Sequence, residues 1–327
     1  MRIILVTGGA GFIGSNFVRN FLMRNKNFIL VNMDKLTYAG NLKSLKEFID
    51  SPRHHFIHGD ICNHELVNYI MRKYKPEIIV NFAAESHVDR SINNPSIFAE
   101  TNIMGTLTLL ESARHIWSKY GFRGCKFVQV STDEVYGSIE NDSDYFSEES
   151  CIQPNSPYSA SKAGADMMVR AYSRSFGFPG VISRCCNNYG PYQNKEKFIP
   201  NSITYALRNE PIPVYGNGKN KREWIHVLDH CWALSRVIFY GKSGEVYNIG
   251  TGEELSNIEL AQKILADLGK DKDMVRFVDD RPGHDFRYAL NSRKIEKSLG
   301  WSPKIGFEEG LHQTIKWYKD NRSWWEE

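Results

Sequence analysis

Along the first 186 residues, short runs of apolar, often branched residues alternate with longer stretches whose apolar positions recur at helical spacing. The runs Ile3–Thr7, Ile29–Asp34, His55–His58, Ile78–Ala83, Lys126–Ser131 and Val181–Arg184 read as strands, and Phe12–Arg24, Glu65–Tyr74, Ile97–Trp117 and Tyr158–Phe176 as the helices between them. Strands apolar at consecutive positions are buried on both faces, so the alternation predicts an α/β fold, a doubly wound parallel sheet with helices on each side. After about Cys186 the rhythm breaks. Asn187-Asn188-Tyr189-Gly190-Pro191 and Tyr215-Gly216-Asn217-Gly218 are turn-rich, and shorter elements follow. This predicts a smaller, mixed α/β C-terminal lobe: residues 1–186, together with 225–250, form the nucleotide-binding domain, and 187–224 with 251–327 the substrate lobe. No repeat or long linker separates the two, so a cleft between them is expected.

Composition narrows the partners. A chain of 327 residues exceeds the usual size of one core, and 41 Lys and Arg against 38 Asp and Glu leave a formal charge of +3, too small for a polyanion-binding surface. No nucleic-acid partner is expected. The six cysteines, Cys62, Cys125, Cys151, Cys185, Cys186 and Cys231, show no metal-type spacing and read as packing thiols, with no metal site. The apolar run Ile3–Val6 stops at Thr7-Gly8-Gly9, well short of a signal core or a membrane span, so a soluble cytoplasmic protein is expected.

The first chemical signal is Gly8, Gly11 and Gly14, spaced G-x-x-G-x-x-G between a predicted strand and helix. Such a loop lets main chain approach a pyrophosphate, whose charge the helix N-terminus favours. Asp34 closes the second strand twenty residues after Gly14, where a carboxylate accepts from ribose hydroxyls and repels a 2′-phosphate. The sheet is therefore read as Rossmann-type and the cofactor as NAD. Asp60-Ile61, after the third strand, suits the adenine edge, although an aspartate there is more often a helix cap.

Two further clusters carry reactive groups. In Tyr158-Ser159-Ala160-Ser161-Lys162 the i, i+4 spacing puts a phenol and an ammonium on one helix face, where the cation favours the phenolate. Alone, that motif is more often a surface pair. Ser131-Thr132-Asp133-Glu134-Val135-Tyr136-Gly137 lies where the fifth strand ends, at the rim where open α/β sheets bind ligands. Adjacent carboxylates point apart in a strand, so both reach one substrate only if the chain turns, as Gly137 allows.

With the glycine loop, Asn81-Phe82-Ala83-Ala84, Ser131-Thr132 and the Tyr-Lys pair, the chain resembles the extended short-chain dehydrogenase/reductase family nearly end to end. Thr132-Asp133-Glu134 makes it similar to the nucleotide-glucose 4,6-dehydratases within that family. The resemblance implies a lyase that removes water from dTDP-glucose or UDP-glucose through tightly bound NAD, with rhamnose biosynthesis a common destination. Tyr215 favours dTDP. Thr132, Asp133, Glu134, Tyr158 and Lys162 are the implied catalytic residues: Tyr158 as base at O4, Thr132 positioning O4, Glu134 as base at C5 and Asp133 as acid at the C6 hydroxyl. Lys162 would hold the NAD ribose and lower the Tyr158 pKa.

Implied cofactor contacts are Gly8, Gly11, Phe12, Ile13, Gly14, Asp34, Lys35, Thr37, Asp60, Ile61, Phe82, Ala83, Ala84, Thr101, Ser131, Tyr158, Lys162 and Asn188. Implied substrate contacts are Ser86, Thr132, Asn187, Lys197, Phe198, Pro213, Val214, Tyr215, Arg222, Asn257, Arg281 and His284, the two arginines for the pyrophosphate. A homodimer through helices Ile97–Trp117 and Tyr158–Phe176 is also implied. The segment between Gly137 and Tyr158 is short, no substrate contact is expected from a C-terminal extension, and Cys185-Cys186 replaces a common Cys-Ser without expected loss. An epimerase or decarboxylase of UDP-sugars would share the tyrosine and lysine but not need the carboxylate pair, and a non-catalytic NAD-binding regulator would need neither.

Overall fold

The computed structural model describes residues 1–141, 143–280 and 282–326. Twelve strands follow in chain order among them: β1 (Arg2–Thr7), β2 (Phe28–Asp34), β3 (His54–His58), β4 (Ile78–Asn81), β5 (Lys126–Thr132), β6 (Gly180–Cys185), β7 (Asn187–Tyr189), β8 (Ile212–Tyr215), β9 (Lys221–His226), β10 (Val246–Ile249), β11 (Glu254–Ser256) and β12 (Val275–Val278). Seven form one parallel sheet in the order β10-β6-β5-β4-β1-β2-β3. The order reverses between β1 and β4, which makes a crevice at the C-terminal ends of the strands.

Alternation along β1 divides the core. Ile4 and Val6 face one side with Phe17, Phe21, Leu234 and Val237, from helices Phe12–Arg24 and Val227–Tyr240. Leu5 faces the other with Val67, Leu109, Leu110 and Val169, from helices His64–Tyr74, Thr106–Trp117 and Pro157–Phe176. Buried polar side chains tie the central strands: Thr7 Oγ1 donates to Asn81 Oδ1 at 2.6 Å, and Asn81 Nδ2 donates to Gln129 Oε1 at 2.9 Å and Thr106 Oγ1 at 3.1 Å. Both ends of the buried Asn81 amide thus find partners, as burial demands.

The six strands and two of the helices expected in this half start or end within two residues of their expected bounds, and Phe12–Arg24 coincides. Ile97–Trp117 differs. Pro95–Phe98 starts a helix that widens into a π-helical stretch over Ala99–Gly105 before continuing as Thr106–Trp117. Such a bulge is a local expansion that pattern periodicity does not register, and here it holds Thr101 at the cleft.

The C-terminal part contains the sheet β11-β9-β7 and the parallel pair β12-β8, packed with helices Phe198–Leu207, Asn257–Asp267 and Phe307–Asp320 around Tyr189, Ile203, Trp224, Leu260, Leu311 and Tyr318. No described helix is long and apolar enough to cross a membrane.

Candidate active site

A cleft of about 290 Å³ opens over the C-terminal ends of β1, β2, β4, β5 and β6. Its floor at one end is the glycine loop. Gly8 has φ +71°, and a Cβ there would lie 2.5 Å from Ala83 N; one at Gly14 would collide with Gly8 O. Only glycines bring the loop this close to the β4 end. No side chain caps the start of helix Phe12–Arg24, and its first residues, Phe12, Ile13 and Gly14, line the cleft. An uncapped helix start beside a glycine cradle suits a pyrophosphate. Asp34 receives the Ala10 N–H on Oδ2 and the Leu36 N–H on Oδ1, each at 2.8 Å. Burial pushes its carboxyl up, and those N–H bonds oppose the shift. Lys35 pairs with Asp60 at 2.6 Å, and Asp60 Oδ1 receives the Cys62 N–H at 2.9 Å. These residues fit the adenosine half of a dinucleotide.

The reaction centre forms where β5 ends. The chain turns at once into a 3-10 turn over Asp133–Tyr136, closed by Gly137 at φ +89°, so the two carboxylates leave the alternating strand geometry. A side chain at Gly137 would also collide with Gln153 O. Asp133 is sealed and Glu134 half-buried, both lining the cleft. Thr132 Oγ1 lies 3.1 Å from Asp133 Oδ1 and accepts the Glu134 N–H at 3.3 Å. Asp133 Oδ2 has no partner. Burial, then the charges of Glu134, Glu223 and Cys185, push the Asp133 carboxyl well above its ordinary range.

Tyr158 and Lys162 sit near the start of helix Pro157–Phe176, capped reciprocally by Ser156 and Ser159. Lys162 is wholly buried, donates from Nζ to Val130 O at 2.7 Å, and is brought down to about 8 by that burial. The expected lowering of the tyrosine is reversed. Burial, then the charges of Glu134 and Asp133, push the Tyr158 phenol well up, against a hydrogen bond with Thr132. Sequence spacing shows the ammonium but neither the burial nor the two neighbouring carboxyls. Behind the lysine, Asp166 and Arg184 form a buried ion pair at 2.9 Å. Asn102 fixes the β4 loop to the same helix, accepting the Glu85 N–H at 2.9 Å and donating to Glu85 O at 3.0 Å and Ser161 Oγ at 2.8 Å.

The expected cofactor residues all line this one cleft: Gly8, Gly11, Phe12, Ile13, Gly14, Asp34, Lys35, Thr37, Asp60, Ile61, Phe82, Ala83, Ala84, Thr101, Ser131, Tyr158, Lys162 and Asn188. Thr132, Asp133, Glu134, Ser86, Asn187 and Lys197 join them, and Lys197 Nζ donates to Ser86 O at 2.8 Å across the mouth. Phe198, Pro213, Val214, Tyr215, Arg222, Asn257 and His284 do not line it. Tyr215 and His284 meet edge to face at 6.2 Å, and the Tyr215 hydroxyl reaches Asp89 at 3.2 Å, beside the cleft mouth. The Val214 side chain is fully buried in the core. Phe198 and Asn257 begin helices, and Pro213 is half-buried in β8. Arg222 donates to the carbonyls of Lys221, Asp285 and Phe286 at 2.7, 2.9 and 3.2 Å and stacks 4.4 Å over Tyr288. Arg281 lies outside the described residues.

Sequence reasoning missed several lining groups: Glu85, Cys185, Cys186, Gln193, Asn194, Glu196 and His230. Cys185 packs in the core as expected, and it also borders the cleft. Burial pushes it up, but hydrogen bonding with Cys186, the charge and hydrogen bond of His230 and the Asn188 amide bring it down to about 5. Asn188 bridges the group, donating to Cys185 Sγ at 3.3 Å and meeting His230 Nδ1 at 2.9 Å. The signal for His230 was a lone imidazole on the apolar stripe of Val227, Cys231 and Leu234. Cys151, by contrast, is exposed.

A family model described as GDP-mannose 4,6 dehydratase matches residues 5–314. A dTDP-glucose 4,6-dehydratase of Streptomyces niveus is 49% identical over 328 positions, spanning 99% of this chain and 94% of that protein. The solved structure of the dTDP-glucose 4,6-dehydratase DesIV from Streptomyces venezuelae, with NAD bound, superposes with a TM-score of 0.93 at 49% identity over 99% of either chain. A UDP-glucose 4-epimerase of Thermotoga maritima superposes with a TM-score of 0.88 at 30% identity, over 98% of this chain and 99% of that one.

Proposed function

The chain belongs to the GDP-mannose 4,6 dehydratase family, and we propose that it converts dTDP-glucose to the dTDP-linked 4-keto-6-deoxy sugar by NAD-dependent loss of water. The carrying observation is the adjacent pair Asp133 and Glu134 beside Tyr158, one carboxyl sealed and its pKa pushed up by that burial. An epimerase has no use for that pair, and the epimerase likeness is weaker, 30% against 49% identity.

NAD is the cofactor, held by the Gly8–Gly14 loop, Asp34 and Lys162; when bound it accepts and returns a hydride, and its oxidised ring supplies positive charge that favours the Tyr158 phenolate. Tyr158 takes the O4 proton, with the Thr132 hydroxyl aligning that oxygen. The 4-keto group acidifies the C5 hydrogen, which Glu134 removes as a proton and gives back to C5 once C6 has been reduced. Asp133 protonates the departing C6 hydroxyl, and its partnerless Oδ2 is the oxygen for that proton. A raised carboxyl pKa is what an acid at neutral pH requires. Lys197 and Ser86 border the sugar-diphosphate end of the cleft, and Pro213, Tyr215, Asn257 and His284 belong to the nucleoside end.

The same proposal assigns residues 1–186 with 225–250 to cofactor binding and the remainder to the sugar nucleotide, in a cytoplasmic homodimer formed through the helices that carry the exposed Met104 and Met167. Incubation with dTDP-glucose and UDP-glucose separately, followed by mass spectrometry for loss of one water, tests the activity. Turnover of dTDP-glucose with the higher kcat/KM is the expected result. Protein that retains NAD but removes water from neither sugar overturns the reading.

A further inference from the structure

The segment Pro191–Lys197 crosses the cleft mouth with its residues divided between two sides. Gln193, Asn194, Glu196 and Lys197 line the cleft. Gln193 Nε2 donates to Asn188 O at 2.9 Å, Asn194 Nδ2 to Tyr38 O at 3.3 Å and Lys197 Nζ to Ser86 O at 2.8 Å, while Glu196 meets Arg90 at 3.4 Å. Two of these partners, Asn188 and Ser86, line the cleft themselves, and the other two, Tyr38 and Arg90, are sequence neighbours, within four residues, of the lining residues Thr37, Ala39 and Ser86.

Tyr192 and Lys195 turn the other way. The Tyr192 ring packs on Trp317 at 4.8 Å and Trp324 at 5.9 Å, and the Arg19 guanidinium lies 5.0 Å from its centre. Lys195 Nζ donates to Trp325 O at 3.0 Å. Trp325 is itself buried and donates to Tyr318 O at 2.8 Å, and the Tyr318 hydroxyl returns to Gln193 O. Arg19 lies on the helix that starts at the glycine loop, and Asn16 of that helix donates to Pro191 O at 2.9 Å. Tyr192 has φ +69°, a conformation that costs a bulky residue energy unless its surroundings fix it. Here the ring is fixed from two sides, by the glycine-loop helix and by the C-terminal tryptophans.

We propose that Tyr192, Trp317 and Trp324 form a latch that positions the strap Gln193–Lys197 across the cleft, and that this latch holds both NAD and the sugar nucleotide in place while touching neither. The assignment deepens the proposed dehydratase reading and rests on it for the identity of the sugar nucleotide. A redox-neutral reaction needs NAD to stay through turnover, so a strap anchored to the cofactor helix at one end and to the C-terminal segment at the other meets that need directly. The three aromatic residues are positioning residues, and their loss weakens binding more than chemistry.

The test uses the full-length holoenzyme and two readouts: the rate of NAD loss after dilution and gel filtration, measured without sugar, and kcat and KM for dTDP-glucose. Tyr192→Gly is the informative variant, because glycine relaxes the positive φ while deleting the ring. We expect it to raise KM and the rate of NAD loss by about tenfold each, with kcat changed by less than about twofold. Tyr192→Phe, which keeps the ring, should behave as wild type. Wild-type NAD retention and KM in Tyr192→Gly overturn the latch, as does a fall in kcat with KM unchanged. Should that variant not fold, Lys195→Met removes only the tie to Trp325 O; faster NAD loss supports the latch and unchanged retention overturns it. Absence of turnover in the wild type sinks the dehydratase reading instead, and the NAD readout still judges the latch.

Discussion

Asp133 and Glu134 are neighbours in sequence with opposite assignments, and burial separates them. Glu134→Gln removes the base at C5 and is expected to stop the reaction after oxidation at C4. Reduced nicotinamide should accumulate in a single turnover while product formation falls by about 10²–10⁴-fold; full product formation by this variant would refute the assignment. Asp133 makes a prediction about stability. Its folded pKa is raised, so above the ordinary carboxylate range the folded chain keeps a proton that the unfolded chain has lost, and stability falls as pH rises towards the folded pKa. Asp133→Asn cannot ionise, so its Tm advantage over wild type should grow as pH rises above the ordinary carboxylate range, while dehydration is lost. An advantage that is constant with pH would show Asp133 to be unshifted. The reactive residue types and their spacing were legible in the chain. The direction of the Tyr158 shift was not, because it depends on burial and on charges that reach Tyr158 from another element. Glu196 and Cys185 escaped for the same reason, since their partners Arg90 and His230 lie far away in sequence.

Among the elements, the turn after β5 decides whether the carboxylates can work together. Gly137→Ala combines a positive φ with a collision at Gln153 O. It should cost about 1–3 kcal/mol, read from urea unfolding, and lower kcat through misplacement of the turn. The helix Pro157–Phe176 is anchored to β6 by the Asp166–Arg184 pair, in which both side chains are almost fully buried. Arg184→Met leaves a buried carboxylate without its cation, at a cost of about 3–5 kcal/mol, and Asp166→Leu added to it should recover most of that loss. A double variant as unstable as the single one would mean the cost is packing rather than charge. Phe12–Arg24 was read to the residue because a glycine turn marks its start and an unbroken apolar stripe follows. The π-helical widening at Ala99–Gly105 was not, since the stripe continues through it.

For the whole molecule, the proposed dimer places Met104 and Met167, both exposed in the single chain, against a second copy. Replacing both with Glu should shift sedimentation to the monomer at micromolar concentration, and an unaltered dimer would move the interface elsewhere. The strand-helix alternation was visible from apolar runs alone, whereas the pairing of β8 with β12 was hidden, because 59 residues separate Tyr215 from Val275 and each run is only four residues long.

The seventh strand of the large sheet has a consequence for synthesis. β10 covers the outer edge of β6, whose six residues are all buried, yet it begins only at Val246. A nascent chain that has just emerged through residue 186 carries the whole glycine loop and every residue of β5, but exposes an apolar strand edge of the kind that recruits other chains. Until Val246–Ile249 emerges, that edge has no native partner, so the ribosome holds a half-made protein in its most aggregation-prone form for the time needed to translate the intervening segment. Slower translation there should lower soluble yield, and faster translation should raise it.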